Sequence, residues 1–409
     1  MRKVILLFIL FFSLVGAEEK PYILMVSFDG FRYDYMNWTD TPNFDYVAKH
    51  GVNAIGLIPV FPSLTFPNHY AIATGAYAGT HNITGNSFYD KNIQQNYSLY
   101  DRDAVRDSRF YKSEPIWVTA ERQGIKTASF FWVGTEAPIR GISPSIFKYY
   151  DGEIPFETRV DSVISWFQLK EHQRPHLILL YFSEPDHTGH EDGVDKDKMI
   201  ESITKMDNLL GYLHQQLKTL DIYSQINIVI TSDHGMTDVS ADRLLILDDY
   251  ISRMDDLYIH GRGAHIQLEQ KKGKSDYTDV LYRELKNIPH SQTWEKSGIP
   301  ERFHFVNNNT GDYLLLADEG WFITTNTTLQ EREFTLAGMH GYDPELPNMH
   351  GIFYAMGPEL KSSIKIQSFE NIHIYPLVCE LLEIVPYSGN NDAPDGDRRV
   401  LQHILQKNR

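Results

Sequence analysis

The chain has 409 residues, 42% of them hydrophobic and 13% aromatic, enough apolar side chain to bury a large core and too much for a disordered segment. Its formal charge of −16 excludes the basic face that sequence-independent nucleic-acid binding needs, so no stable nucleic-acid complex is expected. The single cysteine, Cys379 in the apolar run PLVCELLEI, excludes an intramolecular disulfide framework and reads as a buried structural thiol.

Arg2 and Lys3 precede a run, residues 4–15, that is apolar except for Ser13, and Gly16 and Ala17 lead into a polar stretch. This is a secretory signal pattern over residues 1–17, with cleavage expected after Ala17. The run is shorter than the ~20 residues a membrane span needs, and no later segment reads as a transmembrane anchor. The mature protein is therefore expected outside the cytoplasm, in the periplasm or secreted. The lack of disulfides in an exported chain of this size points to a bacterial source. Against that, sequons at Asn37, Asn82, Asn96, Asn308 and Asn326 would matter in a eukaryotic secretory pathway.

Residues 22–28, YILMVSF, read as a buried parallel strand ending at Asp29 and Gly30. A helix is predicted from Pro42 to Gly51 and a strand over 55–60. The stretch FPSLTFPNHY then holds Thr65 between Pro62 and Pro67. A helix over 69–74 follows, and its N-terminus would favour phosphate oxygens close to Thr65. Next come a helix over 115–124, a strand over 126–132 and an amphipathic helix over 162–169. A strand over 176–182 leads to Asp186 and His190, a core-facing helix is predicted over 195–220, and a strand over 227–231 leads to Asp233 and His234. His214, on the long helix, reads as a surface or packed residue.

Strands alternating with helices imply an α/β fold, a mostly parallel sheet sandwiched by helices, with ligands bound outside the carboxyl ends of the strands. Residues 239–335 break the rhythm, with a helix near 277–286 and β-like runs at 263–269 and 312–318. They read as a smaller α+β insertion or lid between a first core part, 18–238, and a closing part, 336–409. The closing part carries His340 in GMHGYDP and a helix near 374–382.

A threonine hydroxyl attacks poorly unless a base, a depressed pKa or a metal activates it. Asp29, Asp186, His190, Asp233, His234 and His340 offer carboxylates and imidazoles at strand ends and in a Gly-flanked turn, a mixture that suits Zn²⁺ better than Mg²⁺ or Ca²⁺. With Thr65 they predict a two-metal hydrolase centre, able to stabilise attacking and leaving oxygens in an in-line displacement at phosphorus.

The segments SFDGFR, TPNFDYVAKHG, FPSLTFPNHY, TGNSFYD, EPIWVTA, EPDHTGH, SDHGM and GMHGYDP resemble, in order and over nearly the whole mature chain, the signature blocks of the nucleotide pyrophosphatase/phosphodiesterase family. That family is a branch of the alkaline phosphatase superfamily. The resemblance implies an alkaline phosphatase-like fold and two Zn²⁺ per chain, one held by Asp186, His190 and His340, the other by Asp29, Asp233, His234 and the oxygen of Thr65. It further implies that Thr65 forms a phospho-threonine intermediate and that Asn86 donates a hydrogen bond to a non-bridging phosphoryl oxygen.

Phe66 and Tyr150 match a pair of aromatics that clamps a nucleobase by stacking; the alternative is that they only pack. His69 is assigned to loop hydrogen bonding, His187 is expected to point away from the metals, and His350 matches a variable position. Val133 and Glu136 stand where a Pro and an Asp are more usual beside the substrate pocket. The activity implied is hydrolysis of a small nucleotide phosphodiester or pyrophosphate to a nucleoside 5′-monophosphate. The alternatives are a choline or lysophospholipid phosphodiesterase on the same fold, and a non-catalytic zinc-binding exported protein.

Overall fold

Tyr22–Phe28, buried at every position, is an inner strand of an eight-stranded sheet. The strand order is Ile364–Ile366, Val52–Ala54, Phe353–Met356, Ile226–Thr231, Tyr22–Phe28, Leu177–Phe182, Thr127–Phe130 and Ile146–Lys148. Only Phe353–Met356 runs against its neighbours; the other pairings are parallel. The computed structural model describes residues 20–273, 277–331 and 334–406, so the predicted signal segment lies outside the described residues.

The continuous apolar run of the Tyr22 strand follows from burial on both faces. Ile23 and Met25 pack into one core with Tyr70 and Ile72 of helix Thr65–Thr74 and with helix Ile374–Leu381. Leu24, Val26 and Phe28 point the other way, as the two-residue period of a strand requires. They meet helices Phe156–Phe167 and Lys196–Leu217. Among the described residues no helix is long and apolar enough to cross a membrane.

Strands Leu257–Arg262, His265–Gln270, Tyr313–Ala317 and Ser291–Glu295 form a separate antiparallel sheet. Helix Thr278–Lys286 contributes Leu281 and Leu285 to the core on one of its faces. On the other face Leu314 and Leu316 pack with Phe61, Phe303 and Phe305, which sets this sheet against the loop leading to Thr65.

Three expected elements are corrected. Residues 55–60 are not one strand: Val52–Ala54 and Leu57–Ile58 are separate, and Leu57–Ile58 pairs with Phe369–Glu370 outside the main sheet. The helix expected over 69–74 begins at Thr65. Pro67 is its third residue, where the missing N–H would have had no intrahelical partner anyway. The helix expected over 162–169 spans Phe156–Phe167, starting directly after Pro155.

Helix Pro42–His50 is capped from outside, because its own N-cap residue Thr41 makes no side-chain capping bond. Asp207, on helix Lys196–Leu217 and 2% exposed, accepts from the N–H groups of Asn43 and Phe44, both at 3.0 Å, and from Asn43 Nδ2 at 2.8 Å. Replacing Asp207 by Ala leaves these donors without an acceptor and is expected to destabilise the fold by about 2 kcal/mol, read from the midpoint of urea unfolding.

Candidate active site

Asp29 directly follows strand Tyr22–Phe28, Asp186 opens helix Asp186–Asp192 after strand Leu177–Phe182, and Asp233 and His234 follow strand Ile226–Thr231. These strands are neighbours and parallel, so their carboxyl ends deliver four of the predicted side chains to one edge. Backbone contacts fix the turns: Asp186 N–H donates to Asp29 O at 2.9 Å, and Gly30 N–H donates to Asp233 Oδ1 at 3.1 Å. Gly30 has φ +67°, and a Cβ there would lie 2.7 Å from Asp186 Cα, so the approach of the two strand ends requires glycine.

The predicted residues gather in two adjoining groups. In one, Asp186 Oδ1 lies 3.6 Å from His190 Nε2 and 3.5 Å from His340 Nε2, and the two Nε2 atoms are 3.1 Å apart. In the other, His234 Nε2 lies 3.0 Å from Asp233 Oδ2, 3.5 Å from Asp29 Oδ1 and 3.2 Å from Thr65 Oγ1. The His234 and His340 rings stack with centroids 3.5 Å apart and join the groups.

The Nδ1 atoms face backbone carbonyls: Gly338 O for His190 at 3.0 Å, Gly235 O for His234 at 2.9 Å and Ser63 O for His340 at 2.9 Å. A carbonyl can only accept, so each Nδ1 carries the hydrogen and each Nε2 can present a lone pair to the shared space. Asp29 Oδ1, Asp186 Oδ1 and Asp233 Oδ2 are buried and have no hydrogen-bond partner among the described residues. Orphaned carboxylate oxygens beside imidazole lone pairs fit a borderline divalent cation.

The electrostatics agree with that fit. Burial, then the charges of Asp233 and Asp186, push the Asp29 carboxyl well above the usual carboxylate range. Burial also opposes ionisation of Asp233, but the adjacent His234 and His69 outweigh it and hold Asp233 well below that range. Burial lowers His234 while Asp233 raises it, with a net rise. His340 is pushed far down by burial and by His234 and His190.

Thr65 is the first residue of its helix and half-buried. Gly341, at φ +101°, lets the His340 turn pass over it: a Cβ there would lie 2.8 Å from Leu64 Cδ2. Asn86 Oδ1 accepts from the Phe66 N–H at 2.9 Å, an N–H of the first helical turn, and this turns the carboxamide NH₂ away from that bond. Phe66 touches Tyr97 edge-on at 6.1 Å. Tyr150, 43% exposed, leans on Phe131 at 5.1 Å and Tyr181 at 6.5 Å. Glu136 fastens the Tyr150 segment: it accepts from Arg102, from Arg106 Nε at 3.0 Å and from Tyr150 N–H at 3.0 Å.

His69 approaches Asp29 and Asp233 as closely as a ligand would, yet both its nitrogens are engaged. Nδ1 lies 3.0 Å from Thr65 O and 3.3 Å from Asp233 Oδ2, so it is a donor, and Nε2 accepts from Ser27 Oγ at 2.8 Å. His187 is exposed and faces Glu191; His350 Nε2 meets Pro344 O. Two residues were missed in the sequence. Tyr181 donates its hydroxyl to Asp29 Oδ2 at 2.6 Å. Arg159, fully buried, donates to Ile154 O, Tyr181 O and Gly152 O. The odd placement of Arg159 on the apolar face of a helix was the available signal for it; nothing singled out Tyr181 within an apolar strand.

A hydroxyl at a helix start beside two carboxylate–imidazole groups at the ends of parallel strands is the layout of a metal-dependent hydrolase. The chain belongs to the type I phosphodiesterase/nucleotide pyrophosphatase family, whose profile matches residues 23–343. It is 36% identical over 401 residues to the venom phosphodiesterase of Naja atra, covering 96% of this chain and 47% of that relative. It is 37% identical over 384 residues to ectonucleotide pyrophosphatase/phosphodiesterase family member 5 of Homo sapiens, covering 93% of this chain and 78% of that one. The chain thus spans about half the length of the venom relatives (47%). The structure of murine family member 5 superposes with a TM-score of 0.87 at 34% identity, over 95% of this chain and 100% of that chain. An inactive threonine-to-alanine variant of the murine protein in complex with AMP matches equally well. The fold is therefore the alkaline phosphatase-like one that the resemblance implied.

The crowding of Asp29 generates a test on metal-free protein. Its folded pKa lies above the unfolded value, so its contribution is intact below about pH 4 and is lost as pH rises through the folded pKa. In excess chelator, Asp29→Asn is expected to unfold at a higher temperature than wild type, by a margin that grows above about pH 4, while zinc titration shows weaker binding. A variant less stable than wild type at every pH would contradict this.

Proposed function

We propose that this chain hydrolyses nucleotide phosphodiester or pyrophosphate bonds to nucleoside 5′-monophosphates, with Thr65 as nucleophile. The observation that carries this reading is the Thr65 hydroxyl, 3.2 Å from His234 Nε2, at the edge of three buried carboxylate oxygens without partners. Two Zn²⁺, one on Asp186, His190 and His340 and one on Asp29, Asp233, His234 and Thr65 Oγ1, would supply Lewis acidity and lower the pKa of bound hydroxyl and water.

Thr65 Oγ1 gives its proton to solvent water and bonds to phosphorus while the bond to the leaving oxygen breaks; a water then adds its hydroxyl to phosphorus as the Oγ1–phosphorus bond breaks, and a proton returns to Thr65 Oγ1. Asn86, its oxygen tethered to the Phe66 N–H, offers its NH₂ to a non-bridging phosphoryl oxygen. Phe66 and Tyr150 stack on the base; the AMP complex of the murine relative supports a nucleotide as the substrate. The exported address belongs to this proposal; its bacterial part gains no support from the snake and mammalian relatives.

The test compares nitrophenol release from the nitrophenyl ester of thymidine 5′-monophosphate and from nitrophenyl phosphocholine, at mildly alkaline pH with zinc. The nucleotide ester is expected to be preferred. Thr65→Ala should lose at least about a thousandfold in kcat with zinc content unchanged, whereas Asp233→Asn should lose zinc as well. Preference for the choline ester would assign the protein to lipid headgroups, and full activity of Thr65→Ala would remove the covalent mechanism.

A further inference from the structure

The segment 304–310, which leads into strand Tyr313–Ala317 of the second sheet, is fastened to the stretch of chain that carries Asn86. Asn309 Nδ2 donates to Asn82 Oδ1 at 2.9 Å, and Asn309 Oδ1 accepts from the Lys91 N–H at 2.9 Å. Asn82 Nδ2 in turn donates to Asp90 Oδ2 at 2.8 Å and to Phe110 O at 3.0 Å. Asp90 Oδ1 accepts from the N–H groups of Asn92 and Ile93. Asn82, Asp90 and Asn309 are all buried. A buried polar network with its members satisfied is rigid, and losing one member leaves several groups unpaired.

Asn82 sits at φ +74°, a left-handed conformation that asparagine tolerates better than most residues. Asn86 lies midway between Asn82 and Asp90 in the chain, just before the hairpin of Ser87–Asp90 and Gln95–Ser98. An isolated two-stranded hairpin is marginally stable in water, so its placement has to come from elsewhere. Phe88 and Tyr97 of the hairpin pack into the core, the Asn82–Asp90–Asn309 network fastens its Asp90 end, and Lys91 adds an ion pair to Glu269 of the second sheet at 2.9 Å.

We propose that Asn309 is a positioning residue: acting through Asn82 and Asp90, it sets the hairpin and thereby aims the Asn86 carboxamide at the Thr65 end of the helix. The second sheet is then a strut for the phosphoryl-binding side of the site and not a free lid. A related consequence concerns the sequon at Asn82, whose Nδ2 is used twice inside the protein and cannot carry a glycan in the folded chain. The proposal rests on Asn86 as the phosphoryl donor, so the experiment separates the two.

The experiment is a double-mutant cycle on the nitrophenyl ester of thymidine 5′-monophosphate, with kcat, KM and zinc content measured for each variant. Asn86→Ala is expected to lower kcat about a hundredfold. Asn309→Ala should lower kcat about tenfold with KM and zinc content held, yet by less than about twofold when Asn86 is already Ala. Asn82→Gly, which suits φ +74°, tests the same chain of contacts if Asn309→Ala folds poorly. Loss of the same factor in both backgrounds, or full kcat in both Asn309→Ala and Asn82→Gly, would overturn the strut. Unchanged kcat in Asn86→Ala would instead overturn the reading of Asn86, and the strut with it.

Discussion

Mutual repulsion among Asp29, Asp186 and Asp233 is the constraint around which the site is arranged. Three adjacent parallel strands end at one edge, and each leaves a carboxylate oxygen buried there without a partner. Uncompensated buried charges of one sign destabilise a fold strongly. The protein answers in part by shifting protons, with Asp29 far above and Asp233 far below the ordinary range. The imidazole Nε2 atoms around the carboxylates, with their Nδ1 atoms fixed by carbonyls, add lone pairs and no positive charge, so a bound cation is what offsets the remaining repulsion. That arrangement gives cations a site with little reorganisation left to make.

Thr65 is held by the same logic. Thr65 starts a helix whose next turn carries His69; His69 Nδ1 bonds the Thr65 carbonyl and passes 3.3 Å from Asp233 Oδ2, while Ser27 holds its other nitrogen. Helix Thr65–Thr74 and strand Tyr22–Phe28 are thereby tied through His69 and Ser27. Beside Tyr150, Arg159 has a comparable part: its guanidinium lies between the rings of Phe131 and Phe156 and spends its donors on carbonyls of the Tyr150 loop and of Tyr181. A buried cation satisfied by carbonyls and aromatic faces costs less than an isolated one. It also ties the exposed Tyr150 to the strand end that reaches Asp29.

The second sheet extends the surroundings of Thr65 beyond the α/β layer. Its outer face packs on Phe61, immediately before the Thr65 loop, and its segment 304–310 binds the Asn86 hairpin. The similarity to family member 5 covers 95% of this chain, whereas the venom relatives extend well beyond it. The residues gathered around Thr65 all lie within the shared length.

Much of this was legible in the sequence because its signals are local. Short apolar runs ending in Asp29, Asp186 and Asp233 fix both the parallel sheet and the edge where ligands collect, since a strand buried on both faces needs a continuous apolar run and ends where polar groups can be served. The helix starting at Thr65 was misread because two prolines look like loop punctuation, although a proline in the first turn lacks only an N–H that the helix does not use. Other features depended on tertiary structure. Asp207 capping a helix some 160 residues away in the chain, Tyr181 bonded to Asp29 and Asn309 bonded to Asn82 join residues whose separation along the chain carries no periodicity. Sequence by itself determined the strand ends and picked out the carboxylates and imidazoles that gather beside them, because strand ends follow from residue type and burial pattern and those side chains stand in the blocks that resemble the family's. Only the tertiary structure decided which His keeps a free lone pair and which, like His69, is already spent, because that depends on what faces the second ring nitrogen.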